Sequence, residues 1–221
     1  MTHLASNICN HFGHPEFHIS FDETSALEMD AQSIITYLEG QVKSGVIFRP
    51  QQTIQIGWMI VMVKKESEGL LALAEPDLKE IPIRFTDSIT NTLRHLRLQR
   101  DVAESIGVDP QFPSIRQSAL KCAKYDDGHD FFMERSEVLQ NDSGWFFGCT
   151  NAEHNHNDPS ILSRVSLYDL GCARPEIIPF VALPSCCSIT LKGKDIQICQ
   201  SGFPCSFKPG SYLDHKTQDQ N

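Results

Sequence analysis

The sequence lacks any long hydrophobic segment. Its longest apolar run, Ile56–Val63, is far too short to cross a bilayer. The first residues, Met1–Asn7, have neither the basic stretch nor the apolar stretch of a secretory signal. These absences predict a cytoplasmic protein with no membrane partner. The composition is otherwise that of a folded protein, since 40% of the 221 residues are hydrophobic and 21% are charged.

Basic charge is also scarce. The chain has 19 Lys and Arg against 28 Asp and Glu, a formal net charge of -9, and acidic residues are in excess in both halves. A protein that binds nucleic acid through its phosphates needs a basic face, so the charge argues against a nucleic-acid partner. Acidity suits a basic protein partner, because opposite fields speed association. It is equally compatible with a purely solubilising role.

The motifs of common catalysts are missing as well. The sequence contains no Gly-rich phosphate loop and no Gly-x-Ser-x-Gly turn around a nucleophilic serine. Its eight cysteines have no repeating spacing, which in a reducing compartment is typical of small buried hydrophobic residues. The sequence therefore predicts a protein that is not an enzyme and has no cofactor.

Two groups of potential metal ligands are present. One combines Cys9 with four histidines near the N-terminus, and the other consists of Cys149, His154 and His156. A structural zinc site needs four ligands, usually arranged as two close pairs on rigid turns. The second group has no matching pair nearby in the sequence, so solvated loop histidines and no metal are expected.

Hydrophobic periodicity predicts an α+β fold with two small domains, each a mainly antiparallel sheet packed with helices. Residues 1–110 form the first domain, 113–205 the second, and 207–221 a flexible tail, with a linker at 109–113. In the first domain we expect a flexible segment over 1–16, a helix capped by Ser25 and Glu28, one long strand over Thr53–Val63, and a helix ending near Ile106.

The second domain is predicted to be rich in strands. Five segments with strand composition follow the linker: Ala119–Ala123, Phe131–Glu134, Trp145–Cys149, Ser188–Lys192 and Asp195–Cys199. The last two are separated by a turn at residues 192–194. Between the third and fourth segments lies a long polar stretch that includes Thr150–Ser163.

Three segments of this half carry a family resemblance. They are Asn141–Gly148, which reads Asn-Asp-Ser-Gly-Trp-Phe-Phe-Gly, then Val165–Leu170 with its Tyr-Asp-Leu, and Arg174–Phe180 with its Ile-Ile-Pro-Phe. In this order they resemble the immunity protein 33 family, bacterial antidotes encoded beside polymorphic toxins. The resemblance begins near Ser118 and covers less than half of the chain.

The resemblance implies an immunity protein that neutralises a cognate secreted toxin by direct contact. The toxin is expected to be basic and nuclease-like, and to be delivered by a contact-dependent or type VI-like system. Two other functions stay open: an enzyme that binds a metal or ligand and shares the domain, and a regulatory scaffold.

Candidate residues follow from these expectations. Polar, acidic loops are the expected binding surfaces, because binding residues are often carried on loops. The predicted toxin-binding residues lie in the loops Tyr125–Asp130 and Thr150–Ser163: Asp126, Asp127, Asp130, Glu153, His154, His156 and Asp158. Four other residues are expected to define the fold rather than to contact the toxin: Trp145, Tyr168, Asp169 and Pro179.

Overall fold

The computed structural model describes residues 1–151 and 153–218, and its fold is α+β, as predicted. The described chain has four α-helices and two mixed sheets and forms no closed barrel. The chain divides into two compact units, Met1–Arg97 and Leu98–Asn221. The division lies within a helix, upstream of the predicted linker at 109–113. None of the described helices is long and apolar enough to cross a membrane.

The N-terminal unit is built on a six-stranded sheet. Its strands are β1 (Thr2–Ala5), β2 (Phe17–Phe21), β3 (Thr53–Ile56), β4 (Met59–Lys65), β5 (Leu71–Pro76) and β6 (Phe85–Thr86). The order is β1-β2-β5-β4-β3, and β6 pairs with β5. Only the β2–β5 pair is parallel among these strand pairs of the described chain. Two α-helices of the described chain begin in this unit, α1 (Glu28–Lys43) and α2 (Thr90–Ile106).

The sequence periodicity accounts for the burial in this unit. In β2 every second residue is buried, as expected for a strand with one face on the core. In α1 the buried residues recur at intervals of three or four, and they include Ala31, Ile34, Leu38 and Val42. The chain leaves the helix at Gly45, whose φ of 95° favours glycine. The predicted helix is therefore confirmed.

Three predictions for this unit are wrong. Residues 1–16 are not an irregular segment, because β1 pairs with β2 and a 3-10 helix covers Cys9–Phe12. The capping box does not form, since α1 begins at Glu28 with Leu27 as its cap residue, and the Ser25 hydroxyl donates to Asp22 instead. The segment Thr53–Val63 is a hairpin rather than one strand.

The chain reverses in that hairpin at a two-residue turn. Ile56 pairs with Met59 across it, and Gly57 takes a φ of 59°. Glycine adopts this left-handed conformation without steric penalty, which explains why the chain folds back in the middle of an apolar run.

The C-terminal unit is built on a seven-stranded sheet. Its strands are β7 (Ser118–Cys122), β8 (Phe131–Arg135), β9 (Asp142–Cys149), β10 (Leu162–Ser166), β11 (Cys187–Lys192), β12 (Asp195–Gln200) and β13 (Phe203–Pro204). The order is β10-β7-β9-β8-β11-β12-β13, and β7 and β9 run parallel. The helices α3 (Leu167–Ala173) and α4 (Tyr212–Gln218) follow β10 and β13. All five predicted strands of this half are confirmed.

The residues expected to define the fold lie in or beside the core of this unit. Trp145 is buried, and its indole N–H donates to the backbone oxygen of Val181 at 2.9 Å. Tyr168 and Pro179 are also buried. Asp169 lies in the first turn of α3, where its backbone N–H donates to the Ser166 hydroxyl. Their packing supports the predicted structural role.

The predicted flexible tail contains a helix instead. In α4, Leu213 is fully buried, and its backbone N–H donates to the Ser105 hydroxyl at 3.2 Å. One buried apolar residue within a polar segment was too weak a sequence signal to predict this helix. Residues 219–221, the end of the predicted tail, lie outside the described residues.

Candidate functional site

Two polar loops leave the C-terminal sheet at the same edge. Because β7 and β9 are parallel neighbours, their last residues, Cys122 and Cys149, lie side by side at that edge. The first loop, residues 123–130, leads from β7 to β8. The second loop, residues 150–161, leads from β9 to β10 and ends two residues earlier than the sequence indicated. All predicted toxin-binding residues lie in these two loops.

A single arginine holds the backbone of the first loop. The Arg174 guanidinium donates to the backbone oxygens of Tyr125, Gly128 and His129 at 3.0–3.1 Å. It also lies over the rings of Tyr125 and Phe131, at 5.0 and 4.4 Å from their centroids. The planar guanidinium holds five N–H donors in a fixed fork, which suits several carbonyls at once better than the compact ammonium of a lysine. The first loop is therefore fixed in shape.

The carboxylates of the first loop have partners within the protein. Asp126 pairs with Lys121 at 2.5 Å, and Asp127 pairs with Lys124 at 3.0 Å. The hydrogen bond and charge of Asp127 raise the pKa of Lys124. Asp130 is half-buried and accepts from the backbone N–H of Gly193 at 2.7 Å. Exposed pairs of this kind add little stability, and Asp126 and Asp127 stay accessible to a partner.

The second loop is shaped by its own short polar side chains. The Asn151 side chain accepts from the N–H of Glu153, the Asn155 side chain from Asn157, and the Asp158 side chain from Ser160. Side chains that bond the backbone two residues ahead form compact turns. The bonds from Ser160 also lower the pKa of Asp158. The polar side chains of this loop therefore stabilise three successive turns. Glu153 and Asp158 are both exposed.

Those turns carry two histidines back over the end of β9. The Cys149 sulfur lies 3.2 Å from Nδ1 of His154 and 3.5 Å from Nε2 of His156. The Cys122 sulfur accepts from the Cys149 backbone N–H at 3.3 Å. One ligand atom from each of these four residues lies within 4.8 Å of the other three. We call these four residues the Cys/His cluster.

The sheet contributes an aromatic wall to this cluster. The rings of Phe132 and Phe146 contact the His156 ring edge to face, with centroids 5.3 and 5.6 Å away. Gly148 makes room for both phenylalanines, since a Cβ there would lie 2.5 Å from the Phe132 ring and 2.9 Å from that of Phe146. His156 is thus held by packing as well as by its turn.

Burial shifts the pKa of two residues of the cluster. It raises the pKa of the Cys122 thiol, although the hydrogen bond from the Cys149 backbone N–H acts in the opposite direction. Burial lowers the pKa of His156, and the nearby His154 adds to that effect. A thiol becomes a metal ligand once it loses its proton, and an imidazole binds a metal in its neutral form. A single thiol–imidazole contact such as Cys149 to His154 is also the arrangement of a nucleophile with its base.

The structure separates the predicted residues into three groups. His154 and His156 lie together in the Cys/His cluster, whereas Glu153 and Asp158 point to solvent outside it. In the first loop, Asp127 and Asp130 line an open pocket of about 530 Å³, which the loop shares with residues 149–151, whereas Asp126 is exposed and pairs with Lys121. Cys122 was missed, because its proximity depends on the parallel pairing of two strands that are distant in the sequence.

Comparison with known proteins identifies the domain that carries this site. Residues 98–200 match the family model of the Imm33-like domain. The match begins in α2, ends with the last residue of β12, and includes both loops and the Cys/His cluster. The resemblance to the immunity protein 33 family is thereby confirmed. No curated protein and no solved structure matches the chain.

Proposed function

We propose that this chain, with its Imm33-like domain at residues 98–200, is an immunity protein that binds and neutralises a cognate toxin. The family match is the observation that carries the proposal, because immunity proteins act by holding a toxin rather than by chemistry. The proposal places the protein in the cytoplasm, where an incoming nuclease would act. A secreted toxin, delivered by a contact-dependent or type VI-like system, is part of the proposal.

The first loop is the part of the domain best suited to bind a basic toxin. Its backbone is fixed by Arg174 before any partner arrives, so little conformational entropy is lost on binding. Its exposed carboxylates, Asp126 and Asp127, pair with the half-buried Lys121 and the exposed Lys124. A toxin arginine or lysine can displace those lysines.

The pocket beside the first loop gives that partner a specific place to bind. Asp127 and Asp130 line it from one side and Asn151 from the other, and Lys124, which a toxin cation would displace from Asp127, lines it as well. These oxygens match the donors of a guanidinium or ammonium group, and a charged side chain that is desolvated there would form a strong anchor. We therefore propose that the toxin inserts a basic side chain between the two loops.

The thiol–imidazole contact supports a second candidate, a thiol-dependent enzyme built on the same domain. In that case Cys149 would be the nucleophile and His154 its base. The stoichiometry of toxin inhibition distinguishes the two functions. An immunity protein inhibits its toxin only in equimolar amounts, whereas an enzyme acts in substoichiometric amounts because it turns over.

Protection of cells tests the proposal. The toxin encoded by the neighbouring gene is produced in cells with and without this chain, and survival is counted. We expect survival with the chain, together with a stable complex of the two purified proteins. Growth arrest despite full production of the chain, or the absence of a complex, would contradict the proposal.

A further inference from the structure

We propose that the Cys/His cluster is a zinc site, in which Cys122, Cys149, His154 and His156 bind one Zn²⁺ ion in a tetrahedron. The inference goes beyond the proposed function, since neither toxin binding nor the family match requires a metal. It departs from the expectation from sequence that these histidines are solvated and bind no metal.

The distances fit such a site. With Zn–S bonds of about 2.3 Å and Zn–N bonds of about 2.0–2.1 Å, tetrahedral ligand atoms lie about 3.3–3.8 Å apart. The distances from the Cys149 sulfur to the nitrogens of His154 and His156, 3.2 and 3.5 Å, already approach this range. The largest separation among the four atoms is at most 4.8 Å, so a shift on the order of 1 Å closes the tetrahedron.

The ligand types select the metal. Two sulfurs and two imidazole nitrogens in a tetrahedral arrangement favour zinc over the hard ions magnesium and calcium, which prefer oxygen. On binding, each thiol releases its proton to solvent, and the two thiolates neutralise the charge of Zn²⁺. Four protein ligands leave no open position for water or substrate, which is typical of a structural rather than a catalytic zinc.

Two of the proposed zinc ligands lie on the rigid sheet, and the other two lie in the more adaptable second loop. Cys122 and Cys149 are buried at the ends of adjacent parallel strands, so the sheet fixes both sulfurs. His154 and His156 are half-buried and come from the second loop, whose other described ties are mainly local turns. Zinc would therefore fasten the second loop to the sheet edge.

Metal content and spectroscopy of the full-length chain test this inference. The protein is purified under reducing conditions from cells grown with added zinc, and zinc is measured per chain. We expect about one zinc per chain, because structural zinc is bound tightly at neutral pH. Replacement by Co²⁺ should give the absorption of a tetrahedral ion with thiolate ligands.

Variants assign the ligands. His154→Asn and His156→Asn alter loop residues, so the sheet should fold, but each should weaken zinc binding more than about a hundredfold, since loss of even an outer-shell partner costs 10–100-fold. Cys122→Ser and Cys149→Ser should do the same. The matched controls are His129→Asn, in the first loop, and Cys187→Ser, buried outside the cluster. Both controls should keep one zinc per chain.

Three results would overturn the site. The first is a folded wild-type chain without zinc that also fails to take up Zn²⁺ or Co²⁺ when either ion is added. The second is zinc binding that survives in both histidine variants. The third is a disulfide between Cys122 and Cys149 in protein purified under reducing conditions, because a disulfide would remove both sulfur ligands.

Discussion

The two loops at the edge of the C-terminal sheet are both polar, yet they are held by different chemistry. The first loop is clasped by one arginine that bonds three backbone oxygens. The second is wound into local turns and meets the sheet through the Cys/His cluster. The first is rigid in the protein alone, whereas the second depends on a metal in our proposal. Similar composition therefore predicts similar exposure but not similar stability.

Because the two loops are held differently, their candidate residues are expected to have different roles. In the first loop, Asp126 and Asp127 are exposed and pair with lysines, which the basic side chains of the proposed toxin would displace. In the second loop, Asn151, Asn155 and Asp158 are used to shape the chain, and both histidines are used by the cluster. We therefore expect the first loop to carry the affinity for the toxin and the second loop to form the other wall of the pocket.

Removal of zinc should give the largest difference in hydrogen exchange between the two loops. If free zinc exceeds the dissociation constant 1,000-fold, binding stabilises the zinc-bound state by about 4 kcal/mol. Chelation should then speed hydrogen exchange in residues 150–161 by up to about 10³, while residues 123–130 change little. Equal acceleration in both loops would show that their stabilities are coupled. It would contradict the claim that zinc stabilises only the second loop.

Gly148→Ala should destabilise the second loop by displacing Phe132 and Phe146, the two rings that contact His156. The added Cβ would lie 2.5 Å from the Phe132 ring, and overpacking of this kind typically costs roughly 1–3 kcal/mol. We expect a lower free energy of unfolding and weaker zinc binding, measured by denaturant titration and metal competition. Adding Phe132→Leu should relieve the clash and recover part of both losses. No recovery would mean that the Phe132 contact is not the cause.

Arg174→Lys should damage the first loop alone. Lysine keeps the charge but cannot reach three carbonyls with one planar group, so about 1–2 kcal/mol of stability should be lost. Hydrogen exchange in residues 123–130 should rise, and zinc binding should stay unchanged. His129→Asn is the matched control, because His129 contributes only its backbone oxygen to the clasp. A loss of zinc in the Arg174 variant would contradict the statement that the two loops are stabilised independently.

The sequence predicted elements better than it predicted contacts. Strand-like composition predicted five of the seven strands of the C-terminal sheet, whereas β10 and β13 were not predicted. The hydrogen bonds of Arg174 join residues more than forty positions apart, and Cys122 lies near Cys149 only because β7 and β9 pair in parallel. Neither contact produces a local pattern in the sequence. Ser25 failed as a cap for a local reason, since Asp22 competed for its hydroxyl.

The most direct measurement of the central claim is the rate at which the toxin associates with charge-reversed variants. Asp126→Lys with Asp127→Lys changes the first loop, and Glu134→Lys with Glu137→Lys makes the same change in net charge near the opposite end of β8. At low salt the first variant should associate several-fold more slowly, and the control only slightly, because steering depends on charges near the interface.

High salt should remove most of the difference between the two variants, since screening weakens steering beyond a Debye length of about 10 Å at 0.1 M. Equal rates for the two variants at low salt, with both proteins folded, would contradict a toxin-binding surface at the first loop.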